Sequence, residues 1–107
     1  MDHALRVLRL CAKLPSTPEA QAIRKQLIRS GTSPGSQYRE ACRARSTAEF
    51  KSKMNGGLQE LDESAYWIEL LIYSNIYDTA ETRDLGGETE ERTRIFVTCI
   101  KNAKDSD

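Results

Sequence analysis

Apolar residues recur at Phe50, Met54, Leu58, Leu61, Ala65, Ile68 and Ile72. That alternation of threes and fours stacks them on one helical face. Ser46-Thr47-Ala48-Glu49 precedes the run; in a capping box the Ser46 hydroxyl accepts from the Glu49 backbone N–H while the Glu49 side chain reaches back. No proline interrupts the stretch from Ser46 to Ser74. At about 1.5 Å per residue such a helix is about 40 Å long, a bundle strut rather than a small globular helix.

The same pattern predicts three further helices. Asp2 is placed to cap the first, with Leu5, Leu8 and Ala12 inward and Val7 and Cys11 as further inward candidates. Pro15-Ser16-Thr17-Pro18 ends it, because proline has no N–H for the ladder and restricts the residue before it. Thr17 then caps a second helix with Pro18 at its first position and Glu19 in its first turn. Ala20, Ile23, Leu27 and Ile28 form its stripe. Residues 30–36, Ser-Gly-Thr-Ser-Pro-Gly-Ser, have loop chemistry, yet Tyr38, Ala41 and Cys42 resume a helical spacing at once. Two readings stand: a true loop, or one long helix kinked at Pro34 whose small residues admit a close neighbour. Asn75 suits a left-handed C-cap. Asp78 or Thr79 starts the last helix, with Leu85, Thr89, Ile95, Phe96, Cys99, Ile100 and Ala103 as its stripe and Arg92 as a polar intrusion. Gly86-Gly87 marks a first half that frays or loops, and 102–107 reads as a disordered tail.

The third helix carries a second message. Gly56-Gly57 costs about 1 kcal/mol per residue relative to alanine, which predicts that a neighbouring backbone packs closely there. Between Ala65 and Tyr73 the one charged residue is Glu69, and Tyr66, Trp67, Leu70 and Tyr73 lie off the face set by Ile68 and Ile72. A helix apolar on two faces needs two partners. Tyr66, Trp67, Leu70 and Tyr73 are therefore the candidate oligomer interface.

Composition narrows the class. A chain of 107 residues fits one domain, 1–107. No apolar run reaches the roughly 18 residues that span a bilayer, and Met1–Pro15 lacks an apolar signal core, so a cytoplasmic protein without a membrane is expected. Cys11, Cys42 and Cys99 are odd in number and widely spaced, which suits buried hydrophobes rather than a disulfide framework or zinc site. The 16 basic and 16 acidic residues cancel overall. Residues 1–54, however, hold 11 Lys/Arg against 4 Asp/Glu, and residues 55–107 hold 5 against 12. An antiparallel bundle either interleaves these halves or leaves one basic and one acidic face.

Candidate chemistry is sparse. Arg24, Lys25, Arg29, Arg39, Arg43, Arg45, Lys51 and Lys53 concentrate basic charge, and the pairs Lys25/Arg29 and Arg39/Arg43 each share a face. Such a stripe is a candidate track for RNA or DNA phosphates, read by backbone and shape because no base-reading motif accompanies it. Its bland alternative is salt bridging to the acidic half, with Glu40 and Asp62 or Glu63 pairing Arg29 or Arg39. Glu40, Glu60, Asp62, Glu63 and Glu69 do not make a di-metal site, since those bundles need Glu-x-x-His pairs and the one histidine is His3. Gly31 to Ser36 lacks the lysine and preceding strand of a phosphate loop. Tyr66, Trp67 and Tyr73 could stack bases, but within an apolar run they read as core or interface. No catalytic, cofactor-binding or metal-binding residues are expected, and no enzyme.

Three blocks carry a resemblance: Arg29 to Ala41 (RSGTSPGSQYREA), Arg43 to Phe50 (RARSTAEF) and Glu60 to Leu71 (ELDESAYWIELL). Together they resemble the bacterial four-helix-bundle family whose founding members are encoded by intervening sequences in 23S ribosomal RNA genes. Three positions depart from its pattern: Pro34 replaces an aliphatic residue, Gln37 an asparagine, and Gly86-Gly87 interrupts the last helix. The resemblance implies an antiparallel up-down-up-down four-helix bundle, all-α, assembled as a ring-like homopentamer, and favours the kinked helix over the loop at 30–36. It also implies a distant similarity to the accessory protein of diversity-generating retroelements, which binds nucleic acid and a reverse transcriptase. The function so implied is a non-enzymatic RNA- or DNA-binding accessory factor; the alternative is a protein-binding scaffold.

Overall fold

The computed structural model describes residues 2–103. Four helices follow in order: α1 Asp2–Ala12, α2 Pro18–Cys42, α3 Thr47–Tyr73 and α4 Ala80–Asn102. They form an all-α up-down-up-down bundle measuring 51 × 19 × 19 Å. The caps of α2, α3 and α4 are in place. Thr17 accepts from the Ala20 N–H at 3.2 Å, Ser46 from Glu49 at 3.1 Å, and Thr79 rather than Asp78 from Thr82 at 3.1 Å. After α3, Asn75 turns the chain with a φ of 64°, and the Tyr77 N–H closes the turn on the Leu71 carbonyl. Asp2 lies within the first turn of α1 rather than before it.

The buried positions follow a three-four alternation, to which Cys11 on α1 and Gly31 on α2 are additions. On α3 they are Met54, Gly57, Leu61, Ser64, Ile68 and Leu71. On α2 they begin Ala20, Ile23, Leu27, Ser30, Pro34, and on α4 Thr82, Leu85, Thr89, with half-buried Arg92 continuing to Phe96. A 3.5-residue repeat drives left-handed coiling and knobs-into-holes packing. Gly57 and Ser64 occupy core positions that a search for large apolar residues passes over, while Phe50, Leu58, Ala65 and Ile72 are half-buried flanks.

Residues 30–36 belong to one uninterrupted α2. Pro34 has no N–H for the fourth carbonyl before it. The Thr32 and Ser33 hydroxyls donate to the carbonyls of Ile28 (2.7 Å) and Arg29 (2.6 Å), a back-bonding that eases a helix around such a gap. Tertiary contact supplies the rest. Ser30, Gly31 and Pro34 are buried, the Ser30 and Ser64 hydroxyls lie 2.9 Å apart, and a Cβ at Gly31 would stand 2.8 Å from the Val7 methyls.

Several expectations fail for a shared reason, the direction in which a neighbour lies. In α1 the inward residues are His3, Val7, Leu10 and Cys11, with Leu14 beyond the helix, whereas Leu5, Leu8 and Ala12 are exposed. On α4, Ile95 points outward. Gly86-Gly87 neither frays nor loops, and Asn102, assigned to a tail, is helical; residues 104–107 of that expected tail lie outside the described residues. Gly57 admits the ring of Phe96 and Gly56 the side chain of Gln37, not a neighbouring backbone.

Because α1 is short, it packs against α2 and α4 along part of their length. Beside it sits a large cluster of Val7, Leu10, Cys11, Leu14, Ala20, Ile23, Leu27, Ile68, Leu71 and Leu85. Beyond it the core comprises Ala41, Met54, Leu61 and Phe96. Polar pairs lie between the two: Ser30 with Ser64, and His3 with Thr89. Thr89 Oγ1 lies 2.8 Å from the Leu85 carbonyl and 2.9 Å from His3 Nε2, so this contact ties α1 to α4. Burial, then the nearby Arg92 and Arg6 charges, hold the His3 pKa down to about 4 and keep it neutral.

Candidate nucleic-acid interface

The eight basic residues proposed from the sequence do not form one stripe. Arg24 serves the fold: its Nε donates to the Cys11 carbonyl (2.9 Å) and a terminal nitrogen to that of Leu14 (2.8 Å), closing the C-terminal end of α1. Arg29 pairs across to α3 with Glu60 at 3.1 Å and with Glu63. Lys53 reaches Glu40 on α2 at 3.1 Å. The expected pairing of Arg29 with Glu63 is therefore present, whereas Glu40 takes Lys53 and Asp62 takes no cation among the described residues. Lys51 is half-buried on α3. Lys25 is exposed but stands fourteen residues, about 21 Å, from Arg39.

Arg39, Arg43 and Arg45 remain. All three are exposed, and their side chains meet no carboxylate among the described residues. Arg39 and Arg43 lie one turn apart on the end of α2, and Arg45 follows in the connection to α3. Beside them is a shallow, open hollow lined by Ala41, Cys42, Arg45, Ser46, Thr47 and Phe50. The N-terminus of α3 faces this hollow through Ser46 and Thr47, and its oriented N–H groups add partial positive charge, offset in part by Glu49.

The charge asymmetry of the sequence thus resolves by height along the bundle. Near α1, three first-half cations are spent on second-half carboxylates, Arg6 on Glu88, Lys13 on Glu81 and Arg29 on Glu60 and Glu63, while Arg9 and Lys25 make no ion pair among the described residues. At the α2–α3 end, three arginines are left over. No pattern of residue types could have separated Arg29 from Arg43, because the distinction is which helix stands opposite.

The aromatic quartet also divides. Trp67 and Leu70 pack against the core, and Trp67 Nε1 is buried without an acceptor among the described residues. Tyr66 and Tyr73 stand outward, 57% and 83% exposed. The sequence missed a different apolar surface. Gly31 touches Val7 and Glu88 pairs with Arg6, so both face α1. Two turns further on, Tyr38 and Ile95 face the space past the start of α1, 47% and 49% exposed, with the Tyr38 ring 6.1 Å from Phe96. The seven-residue offset was the available signal.

Among the described residues no three His, Cys, Asp or Glu side chains converge as metal ligands, and no helix is long and apolar enough to cross a membrane. The helical frame and the sequence together decide kinship. A model of the 23S rRNA-intervening sequence protein family matches residues 1–98. The chain belongs to that family. A crystal structure of a protein of unknown function from the S23 ribosomal protein family of Bacteroides thetaiotaomicron VPI-5482 is 33% identical, with a TM-score of 0.87 over 94% of each chain. No curated protein matches the chain.

Proposed function

We propose that this 23S rRNA-intervening sequence family member is a non-enzymatic, self-associating module of the cytoplasm that holds the phosphate backbone of RNA or DNA against Arg39, Arg43 and Arg45. The carrying observation is their clustering, exposed and without carboxylate partners among the described residues, while Arg24, Arg29 and Lys53 are consumed by the fold. Three guanidiniums at one end bind phosphate oxygens as forks, and repetition in an oligomer multiplies the contacts. The homopentamer and the role as accessory to a reverse transcriptase come from the resemblance alone. Exposed Leu5, Leu8, Tyr38 and Ile95 supply apolar surface for self-association, and the free thiols Cys11, Cys42 and Cys99 suit a reducing compartment.

The test is fluorescence anisotropy with a structured RNA of about 30 nucleotides, titrated at several salt concentrations. Binding weakens steeply with salt, and Arg39→Glu/Arg43→Glu/Arg45→Glu lowers the salt slope by about 2 per protomer with an unchanged sedimentation coefficient. Absence of binding at low salt by the assembled wild type refutes the reading.

A further inference from the structure

The outer face of α3 carries a stripe that nucleic-acid binding leaves unused. Asp62, Tyr66, Glu69 and Tyr73 follow at intervals of four, three and four, so they align over three turns. All four are exposed. The two carboxylates meet no cation among the described residues. Of Lys25 and Arg29, which share a face of α2, Arg29 is held by Glu60 and Glu63 on α3, and Lys25 makes no ion pair among the described residues. Arg83, which faces Tyr73 from α4, is engaged by both oxygens of Asp78 at 2.8 and 2.9 Å. Tyr66 is preset by an edge-on contact with Trp67, ring centroids 5.0 Å apart. The surface therefore alternates acid, ring, acid, ring on a rigid helix.

We propose that this stripe docks an arginine-rich extended segment of a partner protein. Charge complementarity selects the occupant: guanidinium planes lie on the Tyr66 and Tyr73 rings while their N–H forks reach Asp62 and Glu69. A guanidinium makes both contacts at once, whereas a lysine ammonium neither stacks nor forks. The repeat also fits. Asp62 to Tyr73 spans eleven residues of helix, about 16 Å. An extended chain covers that distance in about five residues, with alternate side chains on one side, so an Arg-x-Arg-x-Arg segment carries enough guanidiniums on one side to reach both acid–ring pairs.

The single tryptophan of the chain lies beneath this stripe and reports on it. The full-length protein is titrated with the synthetic peptide Gly-Arg-Ser-Arg-Ser-Arg-Gly while Trp67 emission is followed. A saturable, salt-sensitive change is expected. The all-lysine peptide binds several-fold weaker, and Asp62→Asn/Glu69→Gln, its fold verified by circular dichroism, weakens binding at least tenfold. The Arg39→Glu/Arg43→Glu variant binds the peptide normally, which separates this site from the nucleic-acid end. The proposal is overturned by no saturable response at low salt, or by equal binding to Asp62→Asn/Glu69→Gln. It also falls if that variant dissociates the oligomer in sedimentation, for the stripe then belongs to a second copy.

Discussion

The two halves of this bundle have the same helix geometry and opposite surfaces. Where α1 is present, four helices close a large apolar cluster and several charges pair from helix to helix. Past the start of α1, three helices share a smaller core, Tyr38 and Ile95 face outward, and Arg39, Arg43 and Arg45 stand without carboxylates among the described residues. The closed half holds the larger core, and the open half leaves those arginines at its end. A short fourth helix makes this division, because each helix completes its own hydrogen bonds and needs a neighbour only for its apolar face.

The largest effect should come from the closed half. Leu27 is fully buried, and Leu27→Ala should cost about 2–5 kcal/mol in urea unfolding. Arg43→Glu in the other half should leave the urea midpoint unchanged. An equal loss from both would erase the comparison.

Next is the polar layer between the halves. His3 has a pKa of about 4 in the fold against 6.5 as a free side chain. Between those values the unfolded chain binds the proton and the native state does not, so stability falls as pH drops from 6.5 toward 4. The loss is on the order of 2–3 kcal/mol. His3→Gln should remove that part of the pH dependence and leave the carboxylate part. Urea midpoints of both proteins at pH 7 and pH 4.5 isolate it.

A glycine pair sharpens the contrast. At Gly31 a new Cβ would lie 2.8 Å from Val7, while at Gly35 nothing stands within 4 Å. Gly31→Ala should destabilise by about 1–2 kcal/mol through overpacking against α1. Gly35→Ala, one turn along the same helix, should stabilise by about 0.5–1 kcal/mol through helix propensity. Thermal denaturation should move in opposite directions.

The smallest effect belongs to the ion pairs. Arg29 is half exposed, so Arg29→Ala should cost no more than about 1 kcal/mol, and less in high salt. Denaturation at two salt concentrations checks it.

How far the chain could be read follows from what each feature depends on. The caps Thr17, Ser46 and Thr79 and the turn at Asn75 were legible because each is a bond between neighbours in sequence. The inward face of α1 was not. Leu5 and Leu8 compete with Val7 and Leu10 on a period that accommodates either pair, and the position of α2 and α4 decides between them. Residues 30–36 carry loop chemistry, and burial against Val7 and Ser64 overrides it. The basic candidates were legible as charges, but not as spent or unspent.

By itself, then, the sequence determined four helices, the caps of the last three, the antiparallel bundle through its family blocks, and a surplus of cations in its first half. Tertiary structure alone decided which leucines of α1 are buried, and that Arg39, Arg43 and Arg45 are left over while Arg24 and Arg29 are not; at Pro34 it agrees with the helix that the family resemblance favoured over a loop. Local hydrogen bonds and apolar periodicity act within a few residues and can be read in order along the chain. Packing and ion pairing join residues tens of positions apart, and their outcome exists only once the helices face one another.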